Sequence, residues 1–175
     1  VEVGCMDCHM PKTTYGLLKA VRSHEISSPS AAVAQATGRP DACSLCHADR
    51  TLEWTARELE RGWGIAPPAH LSETERTLAA AVRWAISGDA GQRALVADHL
   101  GDPPVRNAAG TDQWALPLLA HLLDDPYDAV RSIAARSYRQ LTGLEPADPI
   151  EGWTVMAEPG ARAAEAEALL QRHAA

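Results

Sequence analysis

The sequence predicts a mainly α-helical protein, with a loop-rich segment followed by an α-solenoid array of paired helices. Three observations predict it. All four cysteines fall in the first 50 residues, in two Cys-x-x-Cys-His clusters set among loop signals. From Leu52 onward, apolar residues recur at the three-to-four spacing of helix faces. Two helix pairs in that second region read as copies of each other.

The organisation follows from these signals: residues 1–50 as the cysteine-bearing segment, 51–143 as helical repeats, and 144–175 as an irregular stretch ending in a helix. In the first segment, Ser27-Ser28-Pro29-Ser30 and Gly38-Arg39-Pro40-Asp41 read as loops, and residues 15–24 as a short helix. A helix is expected over 52–63, broken by residues 64–68. The next is expected as one helix over 72–86, because Ser72 and Glu75 form a capping box and Leu78, Ala81, Val82, Ala85 and Ile86 fall on one face. The repeat pairs a helix ending at Ile86 with one over 92–100, and a helix over 114–123 with one over 130–141. Arg93-Ala94-Leu95-Val96-Ala97 lines up with Arg131-Ser132-Ile133-Ala134-Ala135, and Asp-rich turns precede both second helices. Each such pair buries only one face against its neighbours. Acidic turns there cap helices and complement their dipoles. Residues 143–160 read as irregular and 161–175 as a final amphipathic helix.

Composition narrows the function. The chain has 175 residues, a net charge of -7, 46% hydrophobic residues, 5% aromatics and no Phe. A packed core of small aliphatic side chains is attainable. The acidic balance, without a Lys/Arg cluster, excludes nucleic-acid binding. No apolar run reaches the length of a membrane span. Val1 opens directly on a polar, cysteine-bearing stretch, with no signal peptide. The nearness of Cys5 to that start favours a piece of a longer chain, because a cofactor there would have little chain before it for cover.

Cys5-Met6-Asp7-Cys8-His9 and Cys43-Ser44-Leu45-Cys46-His47 carry the chemistry. Cys-x-x-Cys-His is the attachment pattern of c-type haem: two thiols add to the porphyrin vinyl groups, and the adjacent His becomes the proximal iron ligand. Two copies use every cysteine, so the reading is two haems c per chain, held by Cys5, Cys8, His9, Cys43, Cys46 and His47. One alternative is zinc on the four thiols, across 34 intervening residues. Another is disulfides or redox thiols. Both leave the two histidines unexplained.

Two resemblances follow from longer runs. Residues 118–131, Leu-Leu-Ala-His-Leu-Leu-Asp-Asp-Pro-Tyr-Asp-Ala-Val-Arg, resemble a HEAT repeat, and the likeness extends over about residues 72–143. Cys5-Met6-Asp7-Cys8-His9-Met10-Pro11-Lys12, then Ser23-His24-Glu25-Ile26, Pro29 and the second motif, resemble the last two haem-binding segments of multihaem cytochromes c related to pentahaem nitrite reductase and hydroxylamine oxidoreductase. This resemblance covers about residues 3–50. It implies closely packed bis-histidine haems that move electrons outside the cytoplasm, in the periplasm or beyond, with distal ligands exchanged between segments. It also implies that His24 serves a haem bound elsewhere in a longer protein, and that one distal ligand comes from a helix well after the last motif. The sequence departs from that family in having no Cys-x-x-Cys-Lys motif, which the nitrite-reducing site uses, and in its HEAT-like array.

Distal ligands are therefore sought among His24, His70, His99 and His121, with His173 read as solvated. Met6 and Met10 lie too close to their own motif to reach a distal face. Lys12 and Arg22 are candidates for pairing with haem propionates. Trp54, Trp63, Trp84, Trp114 and Trp153 are expected mainly in core packing. Three functions remain open: an electron-transfer module whose partners are other redox proteins or further haem domains; the C-terminal part of a multihaem oxidoreductase with its catalytic haem upstream; and a zinc-binding or metal-free interaction module.

Overall fold

The computed structural model describes residues 3–16 and 18–173, and these form eleven helices and one two-stranded hairpin. The first stretch contains α1 (Cys5–His9), β1 (Thr14–Gly16), β2 (Lys19–Val21), α2 (Ala31–Thr37) and α3 (Ala42–Cys46). Its short helices start on strong caps. The Asp7 carboxylate accepts the Gly4 N–H at 2.9 Å, and Ser30 and Asp41 cap α2 and α3 through the N–H groups of Val33 and Ser44. The two loop signals are these punctuation points: Ser30 starts α2, Gly38 ends it in the left-handed conformation (φ 72°), and Asp41 starts α3.

Residues 15–24 are not helical. Thr14 to Gly16 pairs antiparallel with Lys19 to Val21, and Leu17 lies outside the described residues. Tertiary contacts decide this. Ala20 is buried in the main core while its neighbour Lys19 faces solvent, the alternation of a strand. The Arg136 guanidinium, 118 residues away, donates to the Leu18 carbonyl at 2.8 Å.

α4 (Leu52–Trp63) occupies the expected span. Thr51 caps it, Gly64 closes it at φ 65°, and Leu52, Thr55, Ala56 and Leu59 form its buried face. Leu52 and Ala56 meet Ala31 and Ala34 of α2 in a small satellite core. The single helix expected over 72–86 is two, α5 (Glu73–Thr77) and α6 (Ala80–Ser87), with Leu78 and Ala79 extended between them. The capping box of Ser72 and Glu75 is present. The break arises because Ala79 bridges to Thr51 and the Ala80 N–H donates to the Arg50 carbonyl at 2.9 Å, which diverts the backbone from the helical ladder. Leu78 and Ile86, expected on the buried face, are consequently exposed, while Ala81 and Ala85 are buried.

α7 (Ala90–Gly101), α8 (Pro103–Ala109), α9 (Thr111–Leu122), α10 (Asp128–Thr142) and α11 (Pro159–Arg172) complete the chain. α7 begins on a capping box of Asp89 and Gln92. α8 was not anticipated; Pro103 and Pro104 sit in its first turn, where no N–H is needed. α7 lies against α6, α9 and α10, and at its end Gly101 meets Ser137 of α10 so closely that a Cβ would fall 2.8 Å from the Ser137 Cα.

The core is built of Ala and Leu, as the composition requires. Ala85, Ala97, Leu100, Ala115, Leu119, Ala120, Leu123 and Ala134 are completely buried. Ala20, Leu45 and Ala48 of the first stretch and Ile150, Trp153 and Leu169 of the last belong to the same cluster. Burying Leu45 alone, which fixes α3 to the repeats, contributes about 1.5–3 kcal/mol. The aligned arginines of the two pairs converge on one turn. Arg93 donates through Nε to the Asp125 carboxylate at 2.5 Å, and Arg131 donates to the Asp125 carbonyl at 2.7 Å. The acidic turn before α10 thus serves buried guanidiniums as well as the helix start, where the Asp125 carboxylate accepts the Tyr127 N–H at 2.9 Å.

Candidate functional site

Each Cys-x-x-Cys-His cluster is one helical turn, α1 and α3. Residues three apart on a helix share a face, so each turn presents its two sulfurs side by side. The histidine follows directly: His9 ends α1, and His47 is the C-cap of α3, its N–H donating to the Cys43 carbonyl at 2.7 Å. The two turns pack against each other.

Each turn is held from outside. Arg22 donates to the carbonyls of Met6 and Met10 at 2.7 and 3.0 Å and pairs with Asp7 at 2.7 Å, clamping α1 and its exit. That bond holds the Asp7 carboxyl below its ordinary value. The His9 Nδ1–H donates to the Ser27 carbonyl at 2.9 Å, which leaves Nε2 with its lone pair free for a metal. α3 is pinned by Leu45 in the core and by the Ser44 hydroxyl, hydrogen-bonded to the Thr55 hydroxyl of α4 at 3.1 Å with both residues buried. The His47 ring lies 4.8 Å, centre to centre, from Trp54.

Two clefts adjoin the turns. One, of about 500 Å³, is lined by Cys5, Cys8 and His9 together with Pro29, Ile65 and Trp63. The other, of about 380 Å³, is lined by Cys43, Cys46 and His47 with Trp54, Leu59 and Trp63. Cys8, Cys43, Leu59 and Trp63 line both, so the clefts are neighbours. Trp54 and Trp63 are thus cleft residues more than core residues, and Trp63 is 75% exposed. Trp84 and Trp153 are buried in the core, and Trp114 packs partly buried against it. A third cleft, about 260 Å³, runs behind Cys46 toward α7 and is lined by Lys12, Arg22, Asp102 and His99.

The histidines separate by burial. His24, His70 and His121 are exposed and line none of these clefts. His173 bonds to the Tyr138 hydroxyl at 2.7 Å. His99 is 7% exposed and lines the third cleft. Burial lowers its pKa and keeps it neutral. Lys12 pairs with Asp102 at 2.6 Å and Arg22 with Asp7, so both cations meet protein carboxylates at the cleft edges. Sequence reasoning missed Ser27, which acts through its carbonyl, and the Ser44–Thr55 pair; neither has a sequence signature.

None of the four cysteines pairs in a disulfide. Among the described residues no three His, Cys, Asp or Glu side chains converge to hold a metal ion. Burial pushes the Cys43 thiol up to about 12 and raises Cys8 and Cys46 as well. The donor set fits haem c: paired thiols beside an imidazole, each set opening on a largely apolar cleft.

Two such turns facing adjoining clefts present, twice, the residues that covalent haem c requires. Residues 1–63 of the 175 match the family model of cytochrome c552, which implies covalent haem c and electron transfer for this part of the chain. No curated protein and no solved structure matches the chain.

Proposed function

We propose that this chain is an electron-transfer module that carries two haems c, on Cys5, Cys8 and His9 and on Cys43, Cys46 and His47, within a larger multihaem cytochrome. The observation that carries the reading is the pair of adjoining clefts, each bordered by one complete motif and sharing Cys8, Cys43 and Trp63. When bound, each haem supplies a reversible one-electron change at iron. The chain's own residues do the rest. The thiols fix the two groups at one separation by thioether bonds. His9 and His47 supply proximal nitrogens, His9 with its orientation set by Ser27. Leu59 and Trp63 form the wall that the two clefts share, with Leu59 buried, and Trp54 lines the second cleft beside His47.

The partners are other redox proteins or further haem domains, and the compartment is periplasmic or otherwise extracytoplasmic. No described helix is long and apolar enough to cross a membrane. The helix pairs form a HEAT-like array, a reading supported by the shared use of Asp125 by Arg93 and Arg131. A second reading, the C-terminal part of a multihaem oxidoreductase with its catalytic haem on another segment, is favoured by His24, which is exposed and lines none of the clefts. It fits a ligand donated to a haem elsewhere.

The test is the absorption spectrum of protein matured with haem-attachment machinery, oxidised and dithionite-reduced, with a pyridine haemochrome assay. Two haems per chain are expected. No haem under those conditions refutes the reading, and a zinc determination then decides for the interaction module.

A further inference from the structure

Helix α4 carries an apolar stripe. Leu52, Ala56, Leu59 and Trp63 follow one another at the four-, three- and four-residue steps that keep side chains on one side of a helix. The first three are buried, but Trp63, the last and largest, is 75% exposed. The backbone beneath it is pinned. Gly64 closes the helix in the left-handed conformation, its N–H donating to the Glu60 carbonyl at 2.9 Å, and the Ile65 N–H donates to the Leu59 carbonyl at 3.4 Å. A capped helix end thus holds out an indole that the described residues leave uncovered. So large an apolar surface in water is unfavourable until something covers it. The surroundings of Trp63 indicate what does. It lines the cleft of Cys5, Cys8 and His9 and also the cleft of Cys43, Cys46 and His47. Among the described residues that line both, Trp63 is the largest and the one aromatic; the others are Val3, Leu59 and the thiols Cys8 and Cys43. Trp54, on the same helix, lines the second cleft and not the first.

We propose that Trp63 is a positioning residue shared by the two haems: its indole packs on both porphyrins, so that one side chain sets the potentials of both irons. This rests on the two-haem reading above. One-electron oxidation adds a positive charge at iron, and a charge is harder to form away from water. An indole that shields a porphyrin edge therefore raises that haem's midpoint potential, and its removal lowers it. Because Trp63 lines both clefts, its removal acts on both haems. Trp54, beside the His47 ring at 4.8 Å, acts on the second alone. The two potentials are thereby tied together by a residue that belongs to neither attachment motif.

The experiment is a reductive titration, followed by absorption, of the mature full chain and of W63A, W63F, W63L and W54A, with haem per chain measured on each sample. W63A is expected to keep two haems and to show a fall in both midpoint potentials. W63F, which keeps an aromatic ring, is expected to return both toward the parent values. W54A is expected to move one potential only, which shows that a change beside one haem does not by itself move the other. W63A with two haems and one or both potentials unchanged overturns the proposal; both unchanged is the result for an indole that anchors a partner protein instead. If W63A is recovered with fewer than two haems, W63L, which keeps the position apolar, decides by the same comparison. A parent protein without haem overturns the two-haem reading itself, and the haem assay on the same sample separates that failure from this one.

Discussion

Replacing Asp125 by Ala tests the joint between the two helix pairs. Its side chain is 3% exposed and accepts from Arg93 at 2.5 and 3.2 Å, while Arg93 itself is 19% exposed. The carboxylate also holds the Tyr127 N–H at the start of α10. Truncation leaves a largely buried guanidinium with one remaining acceptor, the Gly88 carbonyl at 2.6 Å. Breaking one side of a buried ion pair costs about 3–5 kcal/mol, far more than the near-zero value of an exposed pair. For a chain of this length that is a fall of about 6–20 °C in Tm. The assay is urea and thermal unfolding of the mature protein, run on D125A, R93M and the double variant. The double variant is expected to be less destabilised than the sum of the singles, because removing both charges leaves none unpaired. A loss below about 1 kcal/mol in D125A, or strict additivity, refutes the argument that the pair is buried and coupled.

Three further outcomes follow from the packing. Gly101→Ala places a Cβ 2.8 Å from the Ser137 Cα and should cost about 1–3 kcal/mol by urea denaturation, because α7 and α10 must separate. Ser44→Ala strands the buried Thr55 hydroxyl and should cost about 1–3 kcal/mol, whereas Ser44→Ala with Thr55→Val should recover most of it. Ser72→Ala removes the α5 cap at about 1 kcal/mol. The partner in that capping box, Glu75, adds a pH dependence. Burial pushes its carboxyl up, but bonds from Ser72 and Gln35 and the charge of Arg83 outweigh burial and hold it below its ordinary 4.5. Its contribution is complete above that pH and is lost as the pH falls through the folded-state value. Glu75→Gln should therefore flatten the acid limb of a stability profile followed by circular dichroism.

What the sequence disclosed depended on whether a feature was local. Helix α4 was legible to its last residue, because its buried face, Leu52, Thr55, Ala56 and Leu59, and its terminating Gly64 all lie within one window. The two motifs were legible because their chemistry needs fixed short spacings. The hairpin was not: its strands are three residues long, Ala20 is the buried residue of β2, and a bond from Arg136, far along the chain, holds its turn. The break between α5 and α6 was hidden for a similar reason, since the bonds that impose it come from Arg50 and Thr51, and the capping box upstream of it reads as the start of a longer helix. Among the histidines, His99 and His121 both sit on apolar helix faces in the sequence. Only packing separates them, burying the first beside Cys46 and exposing the second.

The placement of Leu45 and Ala20 in a core otherwise made by later helices bears on the order of assembly. A chain is synthesised from its N-terminus, and a segment cannot dock on partners that have not yet emerged. The second attachment turn, α3, packs on α8, α6 and α7, with α1 packed on α3, and this supporting surface is incomplete until α8 (Pro103–Ala109) is free. During that interval Cys5, Cys8, Cys43 and Cys46 belong to an open chain. On the two-haem reading, a maturation enzyme would meet both motifs while they are extended, and docking on the later helices would follow attachment.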